Sequence, residues 1–179
     1  DVDVEPIMVS LAGSMAFADG DALQTADPAS TELQVQILAT GRKTDSDSGV
    51  GIPDWEIHAF RDWDGDGLIQ ESERELGPVQ TVTTEADGSY ILQLGVGEPD
   101  QANLLGTTAH YVIVEALPND WLQTLPGVGN EVWDGVAPAE FDYGEFGYAI
   151  EVNVGDGNFD EAFDFGNTEI PPVGRISLS

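Results

Sequence analysis

Leu33-Gln34-Val35-Gln36-Ile37-Leu38-Ala39-Thr40-Gly41 alternates apolar and polar side chains, and a period of two puts every second residue on one face of a β-strand. The same texture recurs along the chain. Trp55 to Phe60 reads as a second strand. Val79 to Thr84 and Ser89 to Leu94 flank Asp87-Gly88, a dipeptide that favours a tight hairpin. Ala109 to Ala116 alternates less cleanly and reads as a central strand, closed by Pro118, after which Trp121 to Leu125 is a short extended piece. Tyr148 to Val154 and Phe159 to Phe165 flank Asp156-Gly157 and read as another hairpin, with Phe159, Phe163 and Phe165 sharing a core face. No segment holds a helical period for more than one or two turns. Seven or eight short strands with turn signals between them predict an all-β, two-sheet Greek-key sandwich.

A chain of 179 residues suits one such domain with extensions. The sandwich is assigned to residues 31–168, a C-terminal extension to 169–179, and an extended N-terminal arm to 1–30. Within the arm, Ala16-Phe17-Ala18 resembles a signal-peptidase site. Asp1, Asp3 and Glu5 stand where a signal needs positive charge, so the arm reads as mature sequence. Its apolar stretch from Ile7 to Ala18 is too short to span a bilayer. An extended arm can add as a strand to an exposed sheet edge, its own or a neighbour's, and Val4, Ile7, Val9 and Leu11 form the anchoring face expected for such partner binding.

The net charge is -29, from 34 acidic residues against five basic ones. A surface this negative repels phosphate backbones and anionic lipid heads, which argues against nucleic acid and membrane as partners. It also repels itself, and salt or bound divalent cations relieve that strain. The chain has no cysteine, so disulfides, thiolate zinc sites and cysteine nucleophiles are excluded.

Asp62-Trp63-Asp64-Gly65-Asp66-Gly67-Leu68-Ile69-Gln70-Glu71-Ser72-Glu73 is the sharpest motif. It fits the twelve-residue calcium loop: acids at positions one, three and five, glycine at six, a backbone carbonyl from Leu68 at seven, Gln70 at nine and Glu73 at twelve. A hard cation wants six to eight oxygens, and the glycine lets the chain curl around it. A strand precedes the loop, so it reads as a staple between strands with the weak affinity of extracellular modules, about 10⁻⁴ to 10⁻³ M. This is the argument for a secreted, extracellular location. Asp156, Asn158 and Asp160 offer a second metal site that doubles as a plain hairpin turn.

The order of pieces, Gly51-Ile52-Pro53-Asp54-Trp55, the acidic loop, Asp87-Gly88-Ser89-Tyr90, Tyr111-Val112-Ile113-Val114-Glu115, Pro118-Asn119-Asp120-Trp121 and Asp164-Phe165-Gly166-Asn167, resembles the B-type repeat domains of serine-aspartate-repeat surface adhesins. These are relatives of the collagen-adhesin B-type family. The resemblance implies an immunoglobulin-like or prealbumin-like sandwich, bound calcium, and a role as rigid spacer in surface proteins without catalysis. Some relatives carry an internal Lys to Asn isopeptide bond promoted by a buried acid, for which Lys43, Glu115 and Asn167 are the matching positions. Lys43 lies beyond Gly41 among polar residues, and is expected at a strand end in solvent, which argues against the bond. Two departures stand out: loops at 95–108 and 126–145 longer than the family's, and a lone domain carrying an arm.

His58 and His110 sit on predicted strands without forming a motif, and no single pair of carboxylates stands out for acid–base work. Trp55 and Trp121 are expected in the core, Trp63 and Trp133 exposed in acidic loops and available to stack on a ligand. The expected function is a non-enzymatic, calcium-binding structural subunit that self-associates head to tail through its arm or joins other surface proteins. The alternative is an adhesin-type binding module that grips a glycan or host protein through its long loops.

Overall fold

Burial with a period of two runs straight through the first strand. In β1 (Gln36–Asp45) Ile37, Ala39 and Lys43 are buried while Gln36, Thr40 and Arg42 are exposed. The computed structural model describes residues 36–95, 108–135, 142–153 and 157–171. The other elements are β2 (Glu56–Asp62), α1 (Glu71–Leu76), β3 (Gln80–Thr83), β4 (Ser89–Gly95), β5 (Thr108–Glu115), β6 (Trp121–Leu125), β7 (Tyr148–Asn153) and β8 (Phe165–Glu169). They form two four-stranded sheets, β4-β1-β8-β6 and β3-β2-β5-β7, making an all-β sandwich. Val4, Ile7, Val9 and Leu11 lie outside the described residues, as do Asp156 and most of the C-terminal extension.

The main core is filled from both sheets: Ile37, Ala39, Leu92, Leu94 and Phe165 from one, Ile57, Ala59, Tyr111, Ile113 and Val152 from the other. Phe159, Phe163 and Phe165 do pack together with Tyr148. The second sheet is buried on its outer face too, where Phe60, Val112 and Val114 are covered by Ile69, Val132, Trp133 and Tyr143. That double burial explains the imperfect alternation of β5, since a strand covered on both faces reads as a continuous apolar run.

Three sequence expectations need correction. β1 does not stop at Gly41 but continues to Asp45, pairing with β4 through Arg42 and with β8 from Lys43 to Asp45. Gly41 serves as a gap rather than a terminator: a Cβ there would collide with the Phe163 carbonyl and the Tyr90 hydroxyl. We expect Gly41→Ala to destabilise the fold by about 3 kcal/mol through overpacking, measurable as a lower urea midpoint at unchanged slope.

The two predicted hairpins are also not ladders. β3 pairs with β2 while β4 pairs with β1, so the turn at Asp87-Gly88 carries the chain from one sheet to the other. The Gly88 carbonyl accepts from the Lys43 N–H at 2.8 Å, docking that turn on β1. Likewise β7 pairs with β5, and β8 lies in the opposite sheet between β1 and β6. The turn expected at Asp87-Gly88 is present, but in a sandwich a turn joins sheets as readily as neighbours. β2 and β3 do form an antiparallel pair joined within one sheet, and the acidic loop with α1 lies in their connection.

Candidate functional site

Position six of the acidic loop requires a backbone that curls, and Gly65 and Gly67 both take positive φ, 74° and 83°. The curl brings one carboxylate oxygen each from Asp62, Asp64 and Asp66 within 4.8 Å of one another. Asp62 is 3% exposed at the end of β2, and its two oxygens accept from the N–H groups of Gly65 (2.7 Å) and Gly67 (2.9 Å). Asp66 accepts from the Leu68 N–H at 2.8 Å. The Gln70 amide nitrogen reaches among these acids, 3.2 Å from Asp64 Oδ2 and 2.9 Å from Asp66 Oδ2.

Glu73 is buried in the first turn of α1. Its carboxylate accepts from the N–H of Trp63 (2.6 Å) and of Gln70 (3.1 Å), clasping both ends of the loop. Burial pushes its pKa above the ordinary value, and the nearby Asp62 and Asp64 add to that push. Three clustered carboxylates are oxygen donors of the kind a hard cation takes, while Gln70 presents its amide nitrogen to Asp64 and Asp66 and accepts from the backbone of α1 with its side chain. Asp62, Asp64 and Asp66 together could hold a metal ion, whereas Glu73, with both oxygens taken by backbone N–H groups, stands outside that cluster of three.

The loop is also tied to the outer face of its sheet. Ile69 is 1% exposed; its N–H donates to Val132 O (2.7 Å), and its carbonyl accepts from Asp134 N–H (3.2 Å). Trp133 stacks on Tyr143 with centroids 5.5 Å apart and donates its indole N–H to Gly144 O at 2.9 Å. Trp133 is thus half-buried and engaged. Trp63 is 46% exposed and borders a cleft of about 400 Å³ with Asp64, Gln70, Ser72, Glu73 and Leu76. At the proposed second metal turn, Asn158 Oδ1 accepts from the Leu38 N–H at 3.0 Å, and Asp160 is exposed.

His58 is buried on the same outer face, with Nδ1 2.9 Å from Thr81 Oγ1, its ring edge-on to Tyr143, and Nε2 3.8 Å from Glu56. Burial holds its pKa below the ordinary value, opposed in part by Glu56. The unfolded chain then takes up the proton first, so stability is full above about pH 6.5 and falls as pH drops from there toward the folded value. The thermal midpoint should fall between pH 7 and 5 more steeply in the native chain than in His58→Gln; parallel slopes would place the acid sensitivity elsewhere.

A second constellation lies in the main core, and here the expectation of a solvent-facing lysine is overturned. Lys43, Glu115 and Asn167 are each 0% exposed. Because β1 runs through Gly41, Lys43 keeps the inward parity of Ile37 and Ala39, and the parallel β8 sets Asn167 on the neighbouring strand. Glu115 reaches across from β5. Its Oε2 accepts from Lys43 Nζ at 2.5 Å and from Asn167 Nδ2 at 3.3 Å.

Trp55 covers the lysine, its ring centroid 4.4 Å from Nζ, and donates its indole N–H to Ala116 O at 2.7 Å. Trp121 meets Trp55 edge-on at 5.3 Å. Glu115 Oε1 and Asn167 Oδ1 are buried without a hydrogen-bond partner, which is unusual in a folded interior. Burial drives the lysine pKa down and the glutamate pKa up, both toward a neutral pair.

Comparison with known protein families, with curated proteins and with solved structures gives no match. Among the described residues, no helix is long and apolar enough to cross a membrane.

Proposed function

We propose that this chain is a non-enzymatic structural subunit of an extracellular or cell-surface assembly. In this reading it is a β-sandwich locked internally by a Lys43–Asn167 isopeptide bond, stiffened by calcium at residues 62–73, and self-associating through its N-terminal arm. The observation that carries the reading is the fully buried Lys43–Glu115–Asn167 cluster linking the first and last strands. In the reaction, Lys43 Nζ attacks Asn167 Cγ, the new C–N bond forms, the bond from Cγ to Nδ2 breaks and ammonia leaves. Glu115 takes the proton from Nζ and delivers it to the departing nitrogen. Nothing is oxidised or reduced.

Such a bond between β1 and β8 would pass tension from one end of the domain to the other without unfolding what lies between, which suits a load-bearing part. The likeness to the B-type surface-adhesin repeats supports the same reading. The weak affinity expected of such a loop between strands would suit a compartment where calcium is millimolar. Intact mass under denaturing conditions tests the core claim. The chain should weigh one ammonia less than its sequence, with a cross-linked Lys43–Asn167 peptide in a digest; full sequence mass with both residues unmodified would overturn it.

One observation favours a second reading, a binding module for a glycan or host protein: the exposed indole of Trp63 beside its cleft. Saturable glycan binding abolished by Trp63→Ala, with the thermal midpoint unchanged, would establish it. Binding equal in both chains would remove the cleft from consideration.

A further inference from the structure

The outermost strands of a sandwich leave backbone donors and acceptors unpaired on one side, and proteins blunt such edges by shortness, charge or side-chain caps. Among the described residues, three of the four edges are treated this way. β3 is four residues long. On β4 the Gln93 N–H is taken by Gln80 Oε1 at 2.9 Å. β7 displays the exposed Glu151. β6, though bulged between Gln123 and Leu125, stands apart: from Trp121 to Asn130 the chain carries no charge. Leu122, Leu125 and Val128 are 58%, 45% and 89% exposed. Ile170, 47% exposed, is held alongside by its N–H bond to Asp120 O at 2.7 Å.

Exposed aliphatic side chains on a neutral edge are a template for another strand. In a chain of charge -29, two copies approach at least electrostatic cost where both contributing surfaces are neutral. The longest uncharged stretch outside the described residues is 6–18, Pro6 to Ala18, in which Ile7, Val9 and Leu11 recur at every second position. Residues 19–35 can extend over roughly 55 Å at about 3.3 Å each, enough to reach a neighbouring molecule.

We propose that the β6 edge, with Leu122 and Leu125, is the acceptor for residues 6–18 of a second copy, added as a fifth strand to the β4-β1-β8-β6 sheet. The inference rests on the self-association reading above and names the surface that reading lacks. Donor and acceptor being different patches, the contact is heterologous and propagates into a filament rather than closing.

Sedimentation velocity and negative-stain imaging of the full chain in millimolar calcium test it. The native chain and Ile91→Glu, which places a charge on the exposed face of β4, should both form filaments. The double variant Leu122→Glu/Leu125→Glu should sediment as a monomer with an unchanged thermal midpoint. In a chain carrying Ile7→Cys and Leu122→Cys, oxidation should give a ladder of covalent multimers, a readout that stands even if the double glutamate variant fails to fold. A native chain that stays monomeric at every concentration overturns the self-association reading itself. Filaments that persist unchanged in the folded double variant, or a disulfide found within single chains only, overturn the β6 assignment and leave self-association standing.

Discussion

Replacing Lys43 with Met and Glu115 with Leu together should lower the midpoint of thermal unfolding by about 15 °C. The two possible states of the pair, bonded or merely ionic, predict changes of opposite sign. A bond from residue 43 to residue 167 closes a loop of roughly 125 residues, and the chain-entropy relation assigns such a closure about 5 kcal/mol. In a domain of this size each kcal/mol moves the midpoint by about 3 °C. If the pair is an ion pair alone, with Nζ and Oε2 2.5 Å apart in a fully buried site, exchange for well-packed apolar side chains is neutral or stabilising by about 1–4 kcal/mol.

The double variant therefore separates the cases by direction, not by degree. Single variants do not: Glu115→Leu alone leaves a buried ammonium without a partner and costs about 3–5 kcal/mol whether or not a bond forms. Calorimetry on the double variant, alongside Asn167→Ala, is the measurement. A midpoint equal to or above that of the native chain would show that Lys43 and Glu115 are held by charge alone.

The fold was largely legible because a strand's period of two survives without tertiary information. Ile37, Ala39, Leu92, Leu94 and Phe165 all face the main core as their alternation requires. The pairing of strands was not legible at Asp87-Gly88, or from β7 to β8, since a turn signal says that the chain reverses but not which sheet receives it. The acidic loop was readable from spacing, because twelve consecutive residues hold its three aspartates, both positive-φ glycines, Gln70 and Glu73.

The Lys43 cluster was harder: its three members are far apart in sequence, and the clue to burial was masked by Gly41, which reads as a breaker. The contact that explains that glycine, the approach of Phe163 O and Tyr90 OH, comes from two distant segments. Parity nevertheless pointed inward, since Lys43 is in step with Ile37 and Ala39. A strand's parity is stronger information than a single glycine within it. The cover formed by Val132, Trp133 and Tyr143 left no signal, for it lies in a stretch rich in turn formers with no period.

Calcium should raise the thermal midpoint by several degrees and quiet a region well away from the ion. An affinity of about 10⁻⁴ to 10⁻³ M at roughly 10 mM calcium gives about 1.4–2.7 kcal/mol of linkage stabilisation, or about 4–8 °C at 3 °C per kcal/mol. The structural consequence follows from Ile69, whose backbone joins the loop to Val132 and Asp134 while its side chain plugs the second core beneath Trp133 and Tyr143. Neutralising Asp62, Asp64 and Asp66 removes the repulsion that would otherwise pull the loop open, and an open loop withdraws Ile69 from that core. Chelation should therefore shift the emission of Trp133 to longer wavelength and speed amide exchange across residues 130–134, while the β1–β8 pairing around Lys43 keeps its protection. Asp66→Asn with Glu73→Gln should abolish the calcium-induced rise. A midpoint indifferent to calcium, or exchange that quickens at β1 and residues 130–134 alike, would mean that the acidic loop does not clamp the cover through Ile69.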